Sequence, residues 1–191
     1  MYQLYAFFHK NSVDMQTIDA YLDLLPPERR VRALRYRNER NRLNCIISYL
    51  LLRHALKTEF SLHDPRIAAA ENGKPFLPDH PNVHFNISHC PAGCVVGVAD
   101  RPIGVDIQDI RHFSPRLREY CCSRDELALL SRCAQPEVEF TGLWAMKESY
   151  LKLIGCGITG RPNTVDTMKF QHLVHLTRRE DCFIAVSMEK T

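Results

Sequence analysis

The chain opens on an apolar run, and Met1 to Lys10 (MYQLYAFFHK) reads as a first β-strand. From residue 26 apolar positions recur at helical spacing. Two helices are expected, about 26–37 and 39–58, started by Pro26-Pro27, with Leu34, Leu43, Ile46, Ile47, Leu50 and Leu51 packed and the arginines outside. After a loop at 61–64 the pattern turns strand-like. A short strand at 66–70 precedes a turn at Glu71-Asn72-Gly73-Lys74-Pro75, and strands follow at 83–88, 94–99 and 103–108 with a turn at Asp100-Arg101-Pro102. Helical spacing returns at 116–120 and 124–131 and then over one long stretch, 138–154, stopped by Gly155 and Gly157. Strands at 168–176 and 182–187 close the chain. Helices followed by strands thus occur twice. The predicted class is α+β, with two pseudo-symmetric lobes, 1–101 and 102–191, each packing helices on a small, mostly antiparallel sheet.

Composition narrows the class. The 191 residues are 45% apolar and 25% charged, which fits a globular domain and excludes a fibre, a collagen-like repeat or a disordered tail. The longest candidate span, Cys45 to Leu52, falls far short of the ~18 apolar residues a membrane helix needs. With no basic leader ahead of the first strand, the expectation is a cytoplasmic protein with no membrane partner. Eight cysteines without a C-x-x-C pair read as reduced, structural thiols. Charge is uneven: residues 28–42 hold seven arginines against two glutamates, while the whole chain is only +3. That run is a solvated helix face or an anion site. No aromatic platform interleaves it, so nucleic acid is not expected.

Three clusters carry candidate chemistry. In the strand Gly104-Val105-Asp106-Ile107-Gln108 side chains alternate, so Asp106 and Gln108 share a face opposite Val105 and Ile107. An acid within an apolar strand is a turn-capping group, or it is paired or metal-bound. In the long helix Glu148 and Lys152 are four residues apart, a surface ion pair or, with Asp106, the oxygen ligand and counter-charge of a Mg²⁺–diphosphate site. Finally, Lys74 on a tight turn and Ser88-His89 at a strand end could reach phosphate.

The segments NGKPFLP (72–78), FNISH (85–89), GVDI (104–107) and WAMKESYLKLIGCG (144–157), in this order and spacing, closely resemble the 4′-phosphopantetheinyl transferases of the Sfp type. The resemblance covers about residues 26–157. It implies transfer of the 4′-phosphopantetheine arm of coenzyme A to a serine of an apo acyl- or peptidyl-carrier protein, with release of adenosine 3′,5′-bisphosphate. It further implies that Asp106 and Glu148 bind Mg²⁺ and that Lys152 neutralises the diphosphate, with Asp106, Glu148 and Lys152 as the catalytic set. By the same resemblance Lys74, Ser88 and His89 contact coenzyme A phosphates, Arg29 and Arg32 hold the 3′-phosphate, and Arg53 lies near the nucleotide.

The chain departs from the family pattern at Gln108, where a Glu is frequent; an amide oxygen can still ligate Mg²⁺, without the charge. Cys90 and Cys156 stand where a Ser and a Lys are common. The family's carrier is acidic on its recognition helix, and Arg111, Arg116, Arg118, Arg124 and Arg132, near apolar Phe113 and Leu117, form an expected basic rim for it. The alternative reading is a non-catalytic coenzyme A or carrier-protein binding module. Two lobes in one chain favour a monomer.

Overall fold

The computed structural model describes residues 1–9, 15–157 and 161–189, with backbone alone at 15–17 and 19; Lys10, at the end of the expected first strand, lies outside them. The first lobe runs β1 (Tyr2–Phe8), α1 (Met15–Leu22), α2 (Pro27–Leu34), α3 (Glu39–Phe60), β2 (Ala68–Ala69), β3 (Pro75–Phe76), β4 (His84–Cys90) and β5 (Gly93–Ala99). The second runs β6 (Ile103–Asp109), α4 (Pro115–Cys121), α5 (Arg124–Arg132), α6 (Pro136–Ile154), β7 (Val174–Arg179) and β8 (Cys182–Met188). Each lobe holds a three-stranded antiparallel sheet, ordered β1-β5-β4 and β6-β8-β7, and β2 with β3 forms a small ribbon. The α+β, two-lobed class therefore holds.

Local chemistry explains most boundaries. Asn38 caps α3 by accepting from the Asn41 amide, and Ser61 ends that helix in the left-handed region at φ +55°. Ser123 and Glu126 form a reciprocal capping box at the start of α5. Several expectations need correction. Leu34 is half exposed, and Ala33 packs in its place, because the short α2 meets α3 along a single narrow stripe. The expected strand at 66–70 shrinks to two residues. Residues 168–173 are not a strand but consecutive 3₁₀ turns, started where Asp166 accepts from the Met168 amide. Helix α1 occupies a stretch to which the sequence pattern assigns no element.

The strand β5 is buried on both faces. Val96 and Val98 pack under α3 with Leu52, Leu56 and Phe85, while Val95 and Ala99 join Ile103, Val105, Ile107, Ile184 and Val186 in a layer shared by the two sheets. The alternation expected in β6 is present: its odd positions enter this layer, leaving Gly104, Asp106 and Gln108 on the face toward α6. Where β4 of one sheet passes β6 of the other, the Asn86 side chain accepts from the Val105 amide at 3.0 Å, a side-chain substitute for a ladder bond.

Candidate active site

Helix α6 lies unusually close to β6, and Gly104 makes this possible. A Cβ at Gly104 would sit 1.9 Å from the Ser149 carbonyl oxygen and 2.4 Å from the Leu153 amide. Gly142, Ala145 and Ser149 keep the facing side of the helix small, and Ser149 Oγ meets Ser187 Oγ at 2.7 Å. The consequence is that Glu148 and Lys152 stand beside Asp106.

Asp106 is almost fully buried, 2% exposed, and is surrounded by donors from three elements. Its Oδ1 accepts from Ser88 Oγ at 2.7 Å and from Lys152 Nζ at 2.6 Å, and its Oδ2 accepts from Gln108 Nε2 at 3.0 Å. Lys152 also donates to Ser88 Oγ at 2.8 Å, closing a triangle across β4, β6 and α6. Glu148 is not a surface partner of Lys152: it is 9% exposed. Burial first, and the nearby Asp106 charge second, push its carboxyl up to about 7, with Lys152 pulling the other way.

The donor set fits Mg²⁺. Two buried carboxylates repelling one another favour a cation between their charges, and Mg²⁺ is usually held by one or two carboxylates plus water and substrate phosphate rather than by a closed protein cage. Among the described residues, no group of three or more His, Cys, Asp or Glu side chains is arranged to hold a metal. Three donors leave Asp106 about one free lone-pair direction, so Gln108 is placed as a donor to the Asp106 carboxylate.

A cavity of about 360 Å³ lies on the first lobe, walled by Arg29, Arg32, Tyr49, Gly73, Pro75 and His89 among others. Arg29 stacks its guanidinium 4.8 Å from the Tyr49 ring centroid. His89, next in sequence to Ser88, joins this cavity to the Asp106 triangle. The surrounding protein and then the Lys152 charge hold its imidazole below the ordinary value, although the side chain is exposed at the rim. Arg53 does not line this cavity but pairs with Asp64 at 3.4 Å, and both charges act on Tyr49 in its wall. Lys74 points away from the arginine cavity, donating to the Lys152 and Leu153 carbonyls at 2.6 and 3.0 Å.

One functional neighbour went unread in the sequence. Lys147, beside Glu148, is buried and donates to the Cys121 carbonyl and to Glu126 Oε2, both at 2.6 Å, and to the Pro162 carbonyl at 3.3 Å. Glu126 accepts in addition from the Ser123 amide and from the amide and hydroxyl of Thr167. This network fastens α4, α5 and the segment before β7 to α6. Its sequence signal is a lysine within the motif WAMKE, preceded by apolar Trp144, Ala145 and Met146.

A model of the 4′-phosphopantetheinyl transferase superfamily matches residues 102–185, and one of a 4′-phosphopantetheinyl transferase N-terminal region matches 12–102. The 4′-phosphopantetheinyl transferase ffp of Bacillus subtilis is 32% identical over 162 residues, covering 82% of this chain and 72% of that one. The chain belongs to the 4′-phosphopantetheinyl transferase superfamily. Sfp of Bacillus subtilis strain 168 is 27% identical over 161 residues, with the same coverage of 82% and 72%. The transferase psf-1 of Bacillus pumilus is 35% identical over 136 residues, 69% of this chain and 58% of that protein. The protein is thus a phosphopantetheinyl-transferring enzyme, which sets aside the non-catalytic binding module. No helix of this transferase, among the described residues, is long and apolar enough to cross a membrane.

Proposed function

We propose that this transferase moves the 4′-phosphopantetheine arm of coenzyme A onto a serine hydroxyl of an apo acyl- or peptidyl-carrier protein, releasing adenosine 3′,5′-bisphosphate, with Mg²⁺ held by Asp106 and Glu148. The observation that carries this reading is the buried Asp106 and Glu148 carboxylates, close enough to repel, with Lys152 on Asp106 and its charge felt by His89 in the wall of the arginine cavity. Arg29 and Arg32 suit the 3′-phosphate, and His89 stands between that cavity and the diphosphate position. Bound Mg²⁺ would offset charge on the diphosphate and on the departing phosphate oxygen.

The protein's own residues do the rest. Ser88 and Lys152 offer donors beside Asp106, where a diphosphate oxygen gains most from a fixed positive charge. Gln108 orients Asp106 through its amide nitrogen, leaving its amide oxygen as a candidate third ligand. Glu148, buried beside Asp106, is the candidate base for the proton that leaves as the serine oxygen attacks. A bond forms from that oxygen to the pantetheine-bearing phosphorus, and the P–O bond to the adenosine bisphosphate breaks. Lys74 and Arg53 are supporting residues, the first through α6 and the second through Asp64.

The carrier's docking surface, on this reading, is the face of α4 and α5. Leu117 and Tyr120 are exposed there among Arg116, Arg124 and Arg132. Phe113 is core rather than surface, packed on Phe140, and Arg118 pairs with Glu137 at 2.7 Å. The lobes divide near 101–102, at the turn between β5 and β6 and between the two matched family ranges. A cytoplasmic monomer completes the proposal, in keeping with eight cysteines that are thiols rather than disulfides. Incubation with coenzyme A, Mg²⁺ and a panel of apo carriers, read by mass spectrometry, tests it. One added phosphopantetheine arm on a carrier serine is the expected result; binding of coenzyme A and carriers with no mass gain on any carrier would contradict it.

A further inference from the structure

The turn at residues 72–74 has two sides. Gly73, at φ +80°, and Pro75 border the arginine cavity. Asn72 and Lys74 instead border a separate cavity of about 280 Å³ shared with Leu153. On that second side the turn grips α6. Lys74 Nζ reaches the carbonyls of Lys152 and Leu153, and Asn72 Nδ2 donates to the Gly155 carbonyl at 2.7 Å.

The last carbonyls of a helix have no partner within it, and a cation there complements the helix dipole. Here the partners come from the other lobe. The turn is itself braced, the Lys74 amide donating to Asn72 Oδ1 at 3.0 Å and the Gly73 amide to the Ala70 carbonyl at 2.8 Å. Gly155 belongs to the same arrangement: at φ +74° it ends the helix, and a Cβ there would press on Asn72 Nδ2 at 2.9 Å. Lys152 is therefore held at both ends, its carbonyl by Lys74 and its ammonium by Asp106 and Ser88.

We propose that the Asn72–Gly73–Lys74 turn is an inter-lobe clamp, with Asn72 and Lys74 as positioning residues that set Lys152 beside Asp106, so that a nucleotide seated against Gly73 and Pro75 stiffens the helix end carrying Lys152. The proposal rests on the assignment of the arginine cavity to the nucleotide. Lys74, with its ammonium engaged by backbone carbonyls, acts on rate through Lys152 rather than on nucleotide affinity through its charge.

The test uses the full chain and the variants Lys74→Met, Lys74→Arg and Asn72→Ala. Three quantities are read: backbone hydrogen exchange at 150–157, calorimetric affinity for adenosine 3′,5′-bisphosphate, and kcat and KM for coenzyme A. Faster exchange at 150–157 in Lys74→Met and Asn72→Ala is expected, with kcat lower by about tenfold or more and nucleotide affinity within about twofold. Lys74→Arg recovers part of the loss, since a guanidinium can donate to the same carbonyls. In the wild type the bisphosphate slows exchange at 150–157, and Asn72→Ala abolishes that effect. A tenfold loss of bisphosphate affinity in Lys74→Met, with exchange and kcat unchanged in Asn72→Ala, would overturn the clamp and make Lys74 a phosphate ligand. Should Lys74→Met not fold, the neutral Asn72→Ala decides alone: unchanged exchange and kcat overturn the proposal. Exchange is read without turnover, so a wild type that modifies no carrier would refute the assigned reaction and not the clamp.

Discussion

Replacing Gly104 by alanine tests the close approach on which the site depends. The added Cβ falls 1.9 Å from the Ser149 carbonyl oxygen, against an ordinary contact of 3.4 Å, so α6 must retreat by about 1.5 Å. The obstacle is backbone, with no flexible side chain able to swing away. Overpacking of this kind costs about 1–3 kcal/mol where side chains adjust, and the upper end or beyond is expected here. At about 2–4 °C per kcal/mol for a chain this size, melting falls by roughly 6–12 °C. Activity suffers further, because a shift of about 1 Å in the groups that align a reaction can cost 100-fold. The retreat moves Glu148 and Lys152 away from Asp106 together. Gly142→Ala is the internal control: its Cβ meets Leu176 at an uncrowded 3.4 Å in mid-helix, and a gain of about 0.5–1 kcal/mol is expected. Thermal melts and transfer assays on both variants are the measurement. A Gly104→Ala protein as stable and active as the wild type would refute the argument that close packing of α6 on β6 builds the site.

Glu148→Gln should fold normally and lose transfer, as a carrier mass assay would show. It also carries a pH signature: a carboxyl held near 7 in the folded protein against an ordinary 4.5 gives stability that is fully present below about 4.5 and lost as pH rises through 7. The metal-free wild type should therefore lose on the order of 3 kcal/mol across that window from this group, and melts of Glu148→Gln should show a flatter profile. Lys147→Met strands the Glu126 carboxylate in the interior and should cost about 3–5 kcal/mol in denaturant titrations, whereas pairing it with Glu126→Leu should recover part of that stability.

What the chain discloses before it folds differs from element to element. The alternation that sets Asp106 and Gln108 on one face was legible because strand geometry is local. The burial of Glu148 is not legible from spacing, since a Glu and a Lys four residues apart look like a solvated pair until the strand that covers them is known; only the motif resemblance set it beside Asp106. Gly104, Ala145, Ser149 and Ser187 bring that strand close, yet a small residue announces nothing about its neighbours. Lys74 was legible as a turn lysine near phosphates, but its direction depends on α6 from the other lobe. The helix of eight residues at Met15–Leu22 is shorter than the stretch over which periodicity becomes informative. Met168, Phe170 and Leu173 alternate loosely enough to pass for a strand, and only the Asp166 cap marks the turn.

The central claim is that Asp106 and Glu148, far apart in sequence, hold one divalent cation together. Calorimetric titration of Mg²⁺ into the protein saturated with coenzyme A, for the wild type, Asp106→Asn and Glu148→Gln, tests it most directly. A single site in the wild type and a loss of more than about tenfold in affinity in each variant are expected. Mg²⁺ affinity left intact in either variant would contradict it.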